Sequence, residues 1–191
     1  MFVKICGITN RDDAFAAIEA GAGALGFIFY SRSPRSVTAD RVVKWVDQIP
    51  PDVLRVGVFV DEQPDTIEAL ASQLKLDVAQ LHGAETPDRH PAGLRIWKAF
   101  RISTDTLADP AYPAEALLLD GPGSGRVFDW RVAGQSRRPV VLAGGLTPEN
   151  VRQAVEAVSP WGVDTASGVE ASPGRKDHVR MKMFIRAALR Q

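Results

Sequence analysis

Eight short apolar runs, each ended by a break, constrain this chain more than any other feature. They cover residues 2–6, 25–29, 54–60, 78–81, 94–100, 116–119, 139–142 and 161–163. A strand with one wet face alternates apolar with polar residues, but several of these runs are apolar almost throughout. Such continuity marks strands buried on both faces, as in a parallel sheet covered by helices. Many of the intervening segments carry helical spacing. Ala14, Phe15 and Ile18 form one face after Thr9-Asn10, with Asp12 and Asp13 in the first turn and Gly21 as a stop. Val42, Trp45 and Val46 follow Thr38, while Ile67, Leu70, Ala71 and Leu74 fall on one helical stripe. Val151, Ala154, Val155 and Val158 repeat the stripe after Thr147-Pro148-Glu149, read as a cap with proline at the first helical position.

Eight such repeats predict an α/β protein, a single-domain (β/α)8 TIM barrel over residues 1–191. The competing architecture, an open doubly wound sheet, needs only about five or six strands. At 191 residues the chain is shorter than the roughly 250 typical of the barrel. The shortage is expected in the fifth and sixth units. Residues 101–115 are rich in Pro, Asp and Thr, and residues 121–137 leave room for only a short helix.

Composition narrows the function classes. Lys and Arg number 23, as do Asp and Glu, so no net charge draws the chain to nucleic acid or an anionic membrane. One cysteine excludes an intramolecular disulfide and a cysteine-cluster zinc site. His82, His90 and His178 are scattered without metal-ligand spacing. No apolar stretch approaches the roughly 18 residues of a membrane span, and Lys4 interrupts the first run where a signal peptide would be continuously apolar. The expectation is a cytoplasmic monomer acting on a small molecule, with no metal and no cofactor.

In such a barrel the active site forms at the C-terminal ends of the strands, so residues that close an apolar run are the candidates. Cys6 ends the first run and reads either as a small buried hydrophobe or as a reactive thiol. Alternation puts Lys4 on the same inward side, where its charge is expected to favour the thiolate. Asp120 ends the sixth run, either capping the turn at Gly121-Pro122 or acting as a desolvated general acid. Strands one and six of a closed ring put Cys6 and Asp120 across the mouth from one another, with Asp164 of strand eight beside Cys6. Gly144-Gly145 after strand seven and Ser167-Gly168 after strand eight are either plain turns or a backbone cradle for phosphate. Arg35, stiffened by Pro34, is a surface arginine or a fork for a carboxylate or phosphate.

Taken in order, Lys4-Ile5-Cys6-Gly7-Ile8-Thr9, Gly26-Phe27-Ile28-Phe29, Ser33-Pro34-Arg35, Val58-Phe59-Val60, Gln80-Leu81-His82-Gly83, Leu119-Asp120, Phe128-Asp129-Trp130, Leu142-Ala143-Gly144-Gly145-Leu146, Ser167-Gly168-Val169-Glu170 and Pro173-Gly174-Arg175-Lys176-Asp177 resemble phosphoribosylanthranilate isomerase over nearly the whole chain. The resemblance implies a (β/α)8 barrel of tryptophan biosynthesis. The implied reaction is the Amadori rearrangement of N-(5-phosphoribosyl)anthranilate to 1-(2-carboxyphenylamino)-1-deoxyribulose 5-phosphate. It also implies Asp120 as general acid at the furanose ring oxygen and Cys6 as a thiolate general base at the C2′ proton. Arg35 is implied on the anthranilate carboxylate, Gly144, Gly145, Ser167 and Gly168 on the phosphate, and Asp164 near the anthranilate amine. His82 is expected to be structural, because the acid and base are already assigned. The sequence departs from the family pattern in a compact loop at 121–127 and in Ala166, where the family commonly carries a serine. Two alternatives stay open at this level. One is the same rearrangement on the histidine-pathway aminoimidazole substrate, although that isomerase type generally uses two Asp residues. The other is a non-catalytic phosphosugar-binding barrel.

Overall fold

In the computed structural model, which describes residues 1–102, 112–121 and 129–189, eight parallel strands close on themselves. They are β1 (Phe2–Cys6), β2 (Ala24–Ile28), β3 (Leu54–Phe59), β4 (Val78–Leu81), β5 (Arg95–Arg101), β6 (Ala116–Asp120), β7 (Val140–Leu142) and β8 (Gly162–Thr165). The ring runs β1 through β8 in sequence order, and β8 pairs with β1 to close it. That closure aligns Lys4 with Asp164, while the β1–β2 register aligns Cys6 with Gly26.

Strand alternation divides the apolar residues into two cores. On β1, Val3 and Ile5 face outward and join Leu25, Phe27, Phe184 and Ile185 between sheet and helices. A second core of Ala24, Val56, Val78, Trp97, Ala116, Leu118 and Val141 fills the barrel interior. Phe2, Trp97 and Trp161 pack edge and face at its N-terminal end, with ring centroids 4.9–5.6 Å apart. The barrel is therefore plugged at the bottom, and the opposite end alone is available for polar groups.

The outer layer holds α1 (Arg11–Ala20), α2 (Ala39–Val42), α3 (Pro64–Leu74), α4 (Val151–Val158) and α5 (His178–Leu189). Asn10 caps α1 by accepting from the Asp13 N–H, and Gly21 ends it in the left-handed conformation. The economy in length is spread wider than expected. Among its described residues the sixth unit has only a 3₁₀ segment, Trp130–Gln135. The second unit stops after one α-helical turn and resumes as Val46–Gln48, so Trp45 and Val46 are buried from a turn rather than from a continuous helix. The fourth unit has only Pro87–Arg89. In the fifth unit, residues 103–111 lie outside the described residues, as do 122–127 of the compact loop.

The start of α4 also differs from expectation. The helix begins at Val151, after a turn in which Asn150 Oδ1 accepts the Thr147 N–H at 2.8 Å. Thr147 still caps this turn: its Oγ1 accepts the Glu149 N–H at 3.3 Å, its carbonyl accepts the Val151 N–H at 3.0 Å, and Asn150 returns a bond to its N–H as in a capping box. Between β8 and α5 lies a small antiparallel hairpin, β9 (Glu170–Ser172) and β10 (Arg175–Lys176). It sits at the mouth.

Candidate active site

A cavity of about 360 Å³ opens at the C-terminal ends of the strands, within the range of small-ligand sites. Cys6, Arg35, Asp120, Gly144, Gly145, Asp164 and Ser167 all line it. Gly168 lies on an adjoining groove that shares Gly145 and Ser167. The residues picked from strand ends therefore converge, although they come from five different strands or the loops after them. Cys6 and Asp120 approach from opposite flanks, with β7 and β8 between their strands.

Cys6 is 6% exposed at the end of β1. Its seat depends on Gly26, where a Cβ would fall 2.8 Å from the Cys6 sulfur and 3.1 Å from Lys4 Cε. Lys4 points inward and donates to Asp164 Oδ1 at 2.9 Å. Burial opposes the lysine charge, but Asp164 and Cys6 outweigh it, so the ammonium is held above its ordinary pKa. The thiol feels Lys4 in the expected direction but is less acidic on balance. Burial pushes its pKa up more than Lys4 and Lys176 pull it down, and Asp164 adds to the rise. Lys4 acts in the expected direction, but desolvation dominates and the resting group is a thiol.

Asp120, partly buried at the end of β6, is also raised, first by burial and then by Asp164, against Arg101 and the Gly121 N–H. It keeps its proton to higher pH than an ordinary carboxyl. His82 lines the same cavity, and burial followed by Lys4 pushes it down to about 4. It is a neutral imidazole near pH 7.

At the β7 end, Gly144 and Gly145 both take positive φ, 78° and 70°, a conformation that turns successive peptide groups toward one side. Neither N–H has a protein acceptor among the described residues. Ser167 opens the 3₁₀ turn Ser167–Val169 facing them. Ala166 contributes its carbonyl, which accepts from Lys176 Nζ at 3.0 Å.

Arg35 reaches the cavity from the loop after β2. Gly7 lets it do so, since a Cβ there would meet Arg35 Cδ at 2.8 Å and the residue has φ +71°. Glu170, rather than Pro34, fixes its guanidinium. Nε and Nη2 donate to Glu170 Oε1 and Oε2 at 2.8 and 2.7 Å. Reading along the sequence gave no role to Glu170, Lys176 or Gln80, although each stood in a quoted motif. Gln80 lines the cavity with its Oε1 buried and unpartnered.

The sequence matches the family model described as N-(5'phosphoribosyl)anthranilate (PRA) isomerase over residues 3–187. The chain belongs to this isomerase family. The N-(5'-phosphoribosyl)anthranilate isomerase of Solibacter usitatus is 47% identical over 196 residues, covering 98% of this chain and 97% of that one. The phosphoribosyl anthranilate isomerase crystal structure from Thermotoga maritima superposes with a TM-score of 0.91 at 40% identity, covering all of both chains. A third structure, an isomerase in complex with reduced 1-(o-carboxyphenylamino)-1-deoxyribulose 5-phosphate, matches at a TM-score of 0.89 and 39% identity, again over both full lengths. As a phosphoribosylanthranilate isomerase, the chain converts N-(5-phosphoribosyl)anthranilate to 1-(2-carboxyphenylamino)-1-deoxyribulose 5-phosphate in tryptophan biosynthesis.

Proposed function

We propose that Asp120 and Cys6 divide the proton transfers of this rearrangement. Asp120, in its protonated form, gives its proton to the furanose ring oxygen, and the ring opens to a Schiff base. Cys6, as thiolate, removes the C2′ proton, and the resulting enolamine tautomerises to the ketoamine. The observation that carries this reading is a buried thiol and a half-buried carboxyl on opposite flanks of one cavity, with the carboxyl's proton affinity raised as an acid requires. The thiolate forms at a cost set by burial, and Lys4 and Lys176 lower that cost. Asp164 lies against the anthranilate amine, and Arg35 holds the anthranilate carboxylate. Gly144, Gly145, Ser167 and Gly168 bind the phosphate through backbone N–H groups and the serine hydroxyl. His82 is neutral and structural.

Residues 1–191 act as one domain, in the cytoplasm where amino-acid biosynthesis proceeds, and as a monomer. Support for the monomer is that the exposed large hydrophobic side chains among the described residues are few: Met1, Val43, Val179 and Met183. Sedimentation at micromolar concentration checks it.

Catalysis is tested by following the loss of anthranilate-type fluorescence on adding phosphoribosylanthranilate. The account expects turnover on this substrate and a fall in kcat of at least about 10²-fold in Asp120→Asn with the fold intact. Turnover confined to the aminoimidazole substrate would assign the barrel to the histidine-pathway reaction. Binding of phosphate esters without turnover on either would make it a binding module.

A further inference from the structure

Arg35 and Glu170 stand 135 residues apart in sequence and meet fork to fork. Glu170 is nearly buried, with 4% of its side chain exposed, whereas Arg35 retains 21% toward the cavity. A guanidinium has two edges that can each grip a carboxylate. Glu170 takes the Nε/Nη2 edge, which leaves the Nη1/Nη2 edge for a second carboxylate. Glu170 is itself fixed from behind. Its Oε1 also accepts from Lys176 Nζ at 3.0 Å and from the Gly174 N–H at 3.2 Å. Lys176 is fully buried, and its backbone N–H donates to Asp13 Oδ2 at 2.9 Å, tying the hairpin to the start of α1. Thr9 Oγ1 closes the same corner by donating to the Gly174 carbonyl at 2.6 Å.

Charge completes the argument. Glu170 is shared between Arg35 and Lys176, so its single charge does not fully neutralise Arg35, which still attracts an anion. Burial raises the Glu170 pKa, but Arg35 and Lys176 together more than reverse this and keep it ionised. We propose that Glu170, braced by Lys176 on the β9–β10 hairpin, is the positioning residue that sets which edge of Arg35 faces the substrate's aryl carboxylate, and so the angle at which the anthranilate ring enters. The proposal rests on the reading of Arg35 as the carboxylate-binding residue and names what aims it.

The test is a cycle of Arg35→Ala, Glu170→Gln and the double variant, with KM and kcat measured for phosphoribosylanthranilate. Glu170→Gln is expected to raise KM about 10-fold and change kcat by less than about 3-fold, with no further rise in KM in the Arg35→Ala background. Glu170→Asp keeps the charge but withdraws it by one methylene, so it too should raise KM. This variant serves if Glu170→Gln does not fold. The thermal midpoint of both Glu170 variants should stay close to that of the wild type, a result that general damage to the mouth would not give. If Arg35→Ala leaves KM unchanged, the carboxylate-binding reading fails. If Arg35→Ala raises KM while Glu170→Gln or Glu170→Asp does not, or if the two substitutions add independently, the positioning role fails and that reading survives.

Discussion

Lys4 on β1 meets Asp164 on β8 at 2.9 Å, and Lys98 on β5 meets Glu85 after β4 at 2.6 Å. Both lysines and both carboxylates are buried. Their remaining hydrogen bonds separate them. Glu85 Oε1 accepts from the Asp61 N–H at 2.8 Å, and its Oε2 accepts from the Gly83 N–H at 2.9 Å and from Lys98. Lys98 also donates to the Gly83 carbonyl at 2.7 Å, and the Tyr112 hydroxyl donates to the Glu85 carbonyl at 2.9 Å. Every charge is used internally, so this pair works as a latch joining the ends of β3, β4 and β5. Glu85 and Lys98 border a separate groove with His82 and Arg101, whereas Asp164 lines the cavity that holds Cys6 and Asp120 and has no protein donor on its second oxygen among the described residues. Lys4 faces the thiol as well as the carboxylate. A saturated buried pair holds structure; one with hydrogen-bonding capacity to spare at a cavity wall tunes a reacting group.

Removing one member of the saturated latch tests this difference most severely. Lys98→Met strands Glu85 as a buried charge and should cost about 3–5 kcal/mol in stability, measured by urea unfolding. The kcat/KM profile of its folded fraction should keep the wild-type pH limbs. A shifted limb would mean that the latch tunes the site as well.

The corresponding substitution at the mouth should act on chemistry. Activity needs a protonated Asp120 and an ionised Cys6, so kcat/KM falls both where the site is fully protonated and where it is fully ionised. In Lys4→Met the thiol loses its nearest cation while Asp164 remains, so its pKa rises further. The thiol-linked limb should move to higher pH by about one unit. An unmoved limb would reduce Lys4 to the same structural role as Lys98.

These contrasts were only partly legible in the sequence. Val3 and Ile5 alternate with Lys4 and Cys6 on a strand of period two, so the inward pair on β1 could be read directly. Closing the eight runs into a ring then brought strand eight, and Asp164, alongside. The Arg35–Glu170 contact could not be read that way, because no periodicity links residues across 135 positions. The latch escaped for a similar reason: Glu85 lies in an irregular loop and its acceptors are filled by backbone groups that only the fold brings near. At Cys6 the sequence shows the nearby cation but not the depth of burial, and burial is the larger effect on the thiol. The Thr147 cap was legible from its spacing ahead of the Val151 stripe, whereas the Asn150 side chain that closes the turn on the Thr147 N–H shows only in the fold.

The smallest effect expected is on stability against pH. The folded-state pKa of Cys6 lies above its unfolded value. The stabilisation this gives is fully present below the ordinary thiol range and is lost as pH rises through the folded pKa. Cys6→Ala should therefore flatten the alkaline decline in unfolding free energy. A decline of unchanged slope would place that titration elsewhere in the molecule.

Turnover of phosphoribosylanthranilate by Cys6→Ala, with KM and the thermal midpoint measured on the same preparation, bears most directly on the assignment of the mouth as the reacting end. The account predicts kcat lower by at least about 10²-fold, with KM and folding close to the wild type. Turnover within a few-fold of the wild type would contradict it and return Cys6 to the buried hydrophobic core.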